Sequence, residues 1–84
     1  MALVAIVDGV RITVYSNDHP PPHFHATIAE YEALFSVATG ELLEGSLPRP
    51  KMEAVMTWYM AHRDEIAYLW REVDSMRSIR RIDR

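Results

Sequence analysis

Residues 3–15, LVAIVDGVRITVY, decide the fold because they predict a β-hairpin on which the rest of the chain can build. Two runs rich in β-branched residues flank Asp8-Gly9, a dipeptide that favours a two-residue type I′ turn. Strict alternation then predicts a core face made of Leu3, Ala5, Val7, Val10, Ile12 and Val14. The opposite face of the second strand then carries the side chains of Arg11, Thr13 and Tyr15.

A second hairpin is predicted for residues 24–37, with Ala29 and Glu30 at its tip. This register pairs three sets of apolar residues on one face: Phe24 with Phe35, Ala26 with Ala33, and Ile28 with Tyr31. The opposite face then carries His23, His25, Thr27, Glu32 and Ser36. A turn at residues 39–41 and a short last strand within residues 42–47 complete the predicted sheet.

From Pro50 to about Met76 the apolar period changes from two to 3.5, which indicates a helix. Its stripe consists of Val55, Tyr59, His62, Ile66, Leu69 and Val73. The pattern fits one long helix or two helices with a break near His62. An unbroken helix of this length spans about 39 Å, more than a small sheet can cover, so we expect either that the helix breaks or that its free part meets another chain.

These elements predict an α+β fold: a small antiparallel sheet of two β-hairpins, with four to five strands, packed against one long or two short C-terminal helices. We expect a single domain over residues 1–84. Residues 1–47 form the hairpins with the histidine and proline motif, residues 48–76 are helical, and residues 77–84 form a basic tail.

The amino-acid composition excludes several classes of function and structure for this chain. The chain has no cysteine, which excludes disulfides and thiolate zinc sites, and no run of 18 apolar residues. We therefore expect a soluble cytoplasmic protein without membrane partners. The net charge of −3 disfavours general nucleic-acid affinity, yet residues 77–84 carry +3 and leave −6 on residues 1–76. This tail fits an arm for RNA or DNA, a strand added to a sheet edge, or a solvated end.

The densest chemistry lies in residues 19–25, HPPPHFH, where three prolines stiffen the backbone between histidines. On a strand, His23 and His25 project to one side roughly 6.5 to 7 Å apart, a spacing from which two imidazoles can bind one metal ion, with zinc the most suitable. His19 lies roughly 12 Å from His23 along an extended proline segment, so it joins them only if the prolines turn. The oxygen ligands available nearby are Asp18, Glu32 and Glu44.

Two other interpretations of the histidines stay open. As an acid and base pair, they would be suited to metal-free RNA cleavage, with Arg11 or Arg49 as the cation that stabilises the transition state. In a structural role, His19 or His23 would hydrogen-bond to the backbone, and the prolines would brace the crossing between the hairpins. The absence of a nucleophile motif and of a glycine-rich phosphate loop disfavours transferase and NTPase chemistry. His62 is most simply a seam histidine that stacks on Trp58, one turn away.

Longer motifs carry a family resemblance: residues 17–26 (NDHPPPHFHA), 31–33 (YEA), 39–41 (TGE), 44–49 (EGSLPR), and Trp58 with His62-Arg63. On these residues the chain resembles the small prokaryotic family called domain of unknown function 4160. It departs from that family at Ala29-Glu30, where a turn containing glycine is expected, and in its arginine-rich tail. The resemblance implies a gene beside that of another small protein, in an arrangement like a toxin and antitoxin pair.

We therefore expect a small cytosolic interaction protein, one component of a toxin-antitoxin-like module. It would bind a small protein partner, or a second copy of itself, through the helix. The alternative is a metal-binding protein or ribonuclease-like enzyme centred on His19, His23 and His25.

Overall fold

A computed structural model describes residues 2–15 and 21–82, with the side chains of residues 3–15 and 21–72. Within these residues, a five-stranded antiparallel sheet precedes one helix, which confirms the predicted α+β fold. The elements are β1 (Ala2–Val7), β2 (Val10–Val14), β3 (His23–Ile28), β4 (Tyr31–Ser36), β5 (Leu42–Gly45) and α1 (Arg49–Ile82). The strands lie in sequence order, so β1 and β5 form the two edges of the sheet.

The first hairpin has the predicted turn but not the predicted alternation. Asp8 and Gly9 both have positive φ, at 51° and 84°, as a type I′ turn requires. A bulge in β1 shifts the register, so that Leu3 pairs with Thr13 instead of Val14. The placement of Leu3 on the core face was therefore wrong: its side chain is 47% exposed, and Val4 packs against the core.

The second hairpin has the predicted register throughout. Phe24 pairs with Phe35, and Ala29 and Glu30 form the tip. Ala29 takes a left-handed φ of 54°, which costs about 1–2 kcal/mol for a residue with a Cβ atom. The tip therefore holds a conformation that glycine would adopt without strain, even though glycine is absent from it.

Helix α1 is attached to the sheet at its start and broken near its middle. The Pro48 carbonyl accepts hydrogen bonds from the N–H groups of Lys51 and Met52, each at 2.9 Å. Lys51 also reaches back to the first turn, where Nζ donates to the Asp8 carbonyl at 2.9 Å. His62 has non-helical φ and ψ of −129° and 21°, so of the two alternatives that the sequence left open the structure has the one with a break near His62.

The helix covers one face of the sheet, and the core lies between the two. The fully or almost fully buried apolar residues are Val10, Ile12, Val14, Phe24, Ala26, Ala33, Phe35, Val37, Leu47, Val55, Tyr59 and Ile66. Tyr59 has the largest of the fully buried side chains. Its ring stacks on Phe24 at 6.0 Å, and its hydroxyl donates to the Val37 carbonyl at 2.7 Å.

Replacing Tyr59 with phenylalanine should lower the free energy of unfolding by about 1–3 kcal/mol, because a buried carbonyl loses its donor while the ring stays. Chemical denaturation of the two proteins measures the difference. Tyr68→Phe removes a hydroxyl from an exposed side chain and is the matched control. Equal stability of Tyr59→Phe and the original protein would contradict this account of the core.

Gly45 shows a second constraint, at the end of β5. Its φ is +80°, and a Cβ atom there would lie 2.1 Å from the Glu32 carbonyl oxygen. That oxygen accepts the Ser46 N–H at 3.1 Å, so β5 cannot move away without losing the bond. The backbone of β5 therefore approaches β4 more closely than a side chain allows.

Gly45→Ala should consequently destabilise the fold more than Gly9→Ala. Gly9 has a similar φ of +84°, but a Cβ atom there would meet only the tip of Ile28 at 3.5 Å. Gly9→Ala thus reports the cost of the left-handed backbone alone, about 1–2 kcal/mol, and Gly45→Ala adds the steric clash. Thermal unfolding of both variants compares the two costs, and equal losses would show that β5 adjusts freely.

Candidate functional site

The sheet face opposite the helix carries the predicted histidines. The register aligns Thr13 of β2 with His25 of β3, and His25 in turn with Leu34 of β4. Two positions further along, Arg11 aligns with Thr27, and Thr27 aligns with Glu32. The face that the sequence predicted for His23, His25, Thr27, Glu32 and Ser36 is therefore present, and β2 extends it. We call it the histidine face.

His25 is held from two sides on this face. Its Nδ1 lies 3.2 Å from the Glu32 Oε2, and its side chain is 14% exposed. The ring of Tyr15 meets the His25 imidazole edge-on, with centroids 4.4 Å apart. A carboxylate accepts hydrogen bonds, so Nδ1 carries the proton in this contact and the lone pair of a neutral ring lies on Nε2.

His23 is oriented in the same way by a different group. Its Nδ1 lies 2.7 Å from the Pro21 carbonyl, which can only accept, so Nδ1 carries a proton here as well. His23 is buried, and its ring centroid lies 5.2 Å from that of His25 at an interplanar angle of 52°. The structure thus brings two adjacent imidazoles together and orients both through Nδ1.

The other predicted site residues fall in different places. Arg11 lies on the histidine face. Arg49 does not join it: this side chain is 91% exposed at the start of α1, and its guanidinium is 3.8 Å from Glu53. His19 and Asp18 lie outside the described residues. Glu44 pairs with Leu34 on edge strand β5, two strands away from the histidines.

Glu32 and Tyr15 have roles that the sequence analysis did not assign. Glu32 was proposed as a metal ligand, but its observed contact is with the His25 Nδ1. Tyr15 was predicted to share the face of Thr13, and extending the register between β2 and β3 places it opposite His23 and diagonally next to His25. Among the described residues, no three His, Asp or Glu side chains cluster closely enough to hold a metal ion.

A second surface lies where α1 continues past its break. His62 ends the regular first part of the helix, and its Nδ1 lies 2.9 Å from the Trp58 carbonyl while its ring stacks on Trp58 at 5.5 Å. This confirms His62 as a seam histidine. Beyond it, an apolar groove of about 390 Å³ opens between the helix and the sheet loops. This Trp70 groove is lined by Pro22, Val37, Ala38, Ala67, Trp70 and Arg71.

Comparison with known proteins gives one match. The family model described as "Domain of unknown function (DUF4160)" matches residues 9–71, from the first turn to the helix beyond its break. No curated protein and no solved structure matches the chain. Within the described residues, α1 is not apolar enough to cross a membrane.

The contacts of His23 and His25 predict that both neutral rings are protonated at Nδ1. Long-range ¹H–¹⁵N spectra of the histidine rings measure the tautomer of each. Glu32→Ala should change the tautomer populations of His25, because the acceptor at its Nδ1 is lost, and should leave those of His23 unchanged, because Pro21 supplies the acceptor there. An Nε2-protonated His23 or His25 in the original protein would contradict the assignment.

Proposed function

The chain belongs to the DUF4160 family, whose function is unknown, and from this premise we propose that it is a protein-interaction component of a two-protein module that resembles a toxin and antitoxin pair. The partner is a second small protein. It binds the part of α1 that follows the break at His62, and the Trp70 groove receives its principal apolar side chain.

The apolar surface of α1 supports this proposal. The helix has 34 residues with a break at His62, and the 20 residues that follow the break alone span roughly 30 Å, whereas a six-residue strand spans roughly 20 Å. Val55, Tyr59 and Ile66 are buried against the sheet. Met60 and Tyr68 are 67% and 53% exposed, so the helix presents apolar area that the described part of the sheet does not cover.

The single observation that carries the proposal is the Trp70 groove. Its volume falls within the range of about 300–1,000 Å³ that is typical of binding pockets, and most of its lining is apolar. The Trp70 Nε1–H is buried and has no acceptor among the described residues. Such an unpaired donor costs about 1–3 kcal/mol, and a partner that repacks this side of the helix can supply the acceptor.

The positive charges beside the Trp70 groove indicate which kind of partner segment would bind there. Residues 63, 67, 70 and 71 follow helical spacing and share one face. Arg63 donates to the Ala38 carbonyl at 3.0 Å, beside the groove, and Arg71 lines it. A segment with acidic residues next to an apolar anchor complements this surface, as when an amphipathic helix binds in a groove. The arginines of residues 77–84 lie beyond the described side chains.

Arg71→Glu should weaken the complex with the protein encoded beside this one about 10- to 100-fold, because it places a negative charge where the partner offers acidic residues. Calorimetry on the two purified proteins measures the dissociation constant. Arg49→Glu makes the same charge change at an exposed position at the other end of α1, and it should change the constant less than about twofold.

Several results would contradict the proposal. One is the absence of a complex between the two proteins, together with unchanged growth when either is overproduced alone. Another is an equal loss of affinity in Arg71→Glu and Arg49→Glu, which would assign the effect to net charge. A stable homodimer that Arg71→Glu dissociates would assign the groove to a second copy of this chain.

A further inference from the structure

We infer that the chain forms a symmetric homodimer in which the β1 strands of two copies pair antiparallel along their outer edges, so that the two sheets join into one. The partner that this surface fits is therefore a second copy of the chain. No residue of β1 lines the Trp70 groove, and the inference does not depend on the proposed partner protein.

Strand β1 lacks the charges and prolines that keep most edge strands apart. It is six residues long, all of them apolar, and within the described part of the sheet it pairs on one side only, with β2. An edge of this kind presents unpaired backbone groups that can bind another strand. The opposite edge, β5, has four residues and includes Glu44, so two copies that paired there would bring like charges to the join. Strand β1 is therefore the edge suited to pairing.

The bulge in β1 gives this edge a pattern of faces that reads the same in both directions. Leu3 and Ile6 align with residues of β2 that lie on the histidine face. Val4 and Ala5, between them, pack against the core on the helix side. A two-fold axis between Val4 and Ala5 places Leu3 of each copy opposite Ile6 of the other copy, and Val4 opposite Ala5.

This symmetric register matches the side chains of the two strands. Residues that lie directly opposite each other in an antiparallel pair share one face of the sheet, and all four residues of the segment 3–6 satisfy this condition. The bulges of the two copies also coincide, so neither bulge disturbs a regular strand. A two-fold interface requires such self-complementarity, which a second copy supplies by symmetry and an unrelated strand does not.

The pairing covers apolar surface on both sides of the sheet. On the histidine face, Ile6 and Leu3 are 62% and 47% exposed. On the helix side, Val4 and Ala5 line a groove of about 230 Å³ together with side chains of α1 that include Leu69. A strand beside β1 projects its side chains alternately to the two faces, so one paired segment covers both regions. The two grooves then face each other across the axis.

The test is sedimentation equilibrium of the full chain over a range of concentrations, in which we expect a monomer–dimer equilibrium. Ile6→Lys should raise the dissociation constant of the dimer about 100-fold, because it replaces an apolar contact with a charge on the edge in both copies. Leu43→Lys makes the same kind of change at a 44% exposed residue on β5, and it should change the constant less than about twofold.

A pair of charge substitutions tests the register. Leu3→Glu alone should weaken the dimer, as Ile6→Lys does. Both changes in one chain place opposite charges at the two positions that face each other across the axis, so the double variant should bind about tenfold more tightly than either single variant. The amide spectrum of each variant shows whether the fold is retained, which we expect because both side chains are exposed.

Four results would overturn the inference. The first is a chain that stays monomeric at every concentration. The second is a dimer that Ile6→Lys leaves intact and Arg71→Glu dissociates, which would assign the dimer to the Trp70 groove. The third is a double variant that binds no more tightly than the single variants. The fourth is a monomeric chain whose complex with the neighbouring protein is weakened by Ile6→Lys, which would assign the β1 edge to that protein.

Discussion

The hydrogen bond from the Tyr59 hydroxyl to the Val37 carbonyl holds the two layers of the molecule in one arrangement. It joins the first part of α1 to the loop after β4, while the Tyr59 ring stacks on Phe24 from β3. Gly40 completes the fit, because a Cβ atom there would lie 2.6 Å from the Tyr59 ring. This set of contacts selects the sheet face that the helix covers, and the histidines are consequently left on the other face.

The prolines make the histidine segment rigid, and their carbonyl groups still accept hydrogen bonds from neighbouring residues. A proline has no N–H, so it leaves a carbonyl acceptor without adding a donor that needs a partner. The Pro21 carbonyl contacts the His23 ring, and the Pro22 carbonyl accepts the Val37 N–H at 3.0 Å. The segment thus orients an imidazole and anchors the start of β3 to the end of β4. The metal, acid-base and structural interpretations of the histidines all use this rigidity.

Much of the fold could be predicted from sequence because the turn residues and the apolar periodicity indicate the same strands and helix. Asp8-Gly9 predicted the first turn, and alternation predicted the register between β3 and β4. The apolar stripe predicted the helix but left open whether it breaks near His62, where the structure has the break. Leu3 was misplaced because a bulge depends on how two strands fit, which alternation within one strand does not encode. The sequence predicted that His23 and His25 share one sheet face, but it did not predict the Tyr15 contact. It also grouped Arg49 with these histidines, although Arg49 lies at the start of α1 on the other side of the sheet.

The alternation of β3 also separates the Trp70 groove from the histidine face. Phe24 faces the helix, where it meets Tyr59 and, edge-on, Trp58 at 5.9 Å. His23 and His25, on either side of it in sequence, face the opposite way. Arg71 and Glu32 therefore act on opposite sides of the sheet and share no contact in the described residues. Substitutions without shared partners usually have additive effects on stability, so the effects of changes at the groove and at the histidine face can be measured separately.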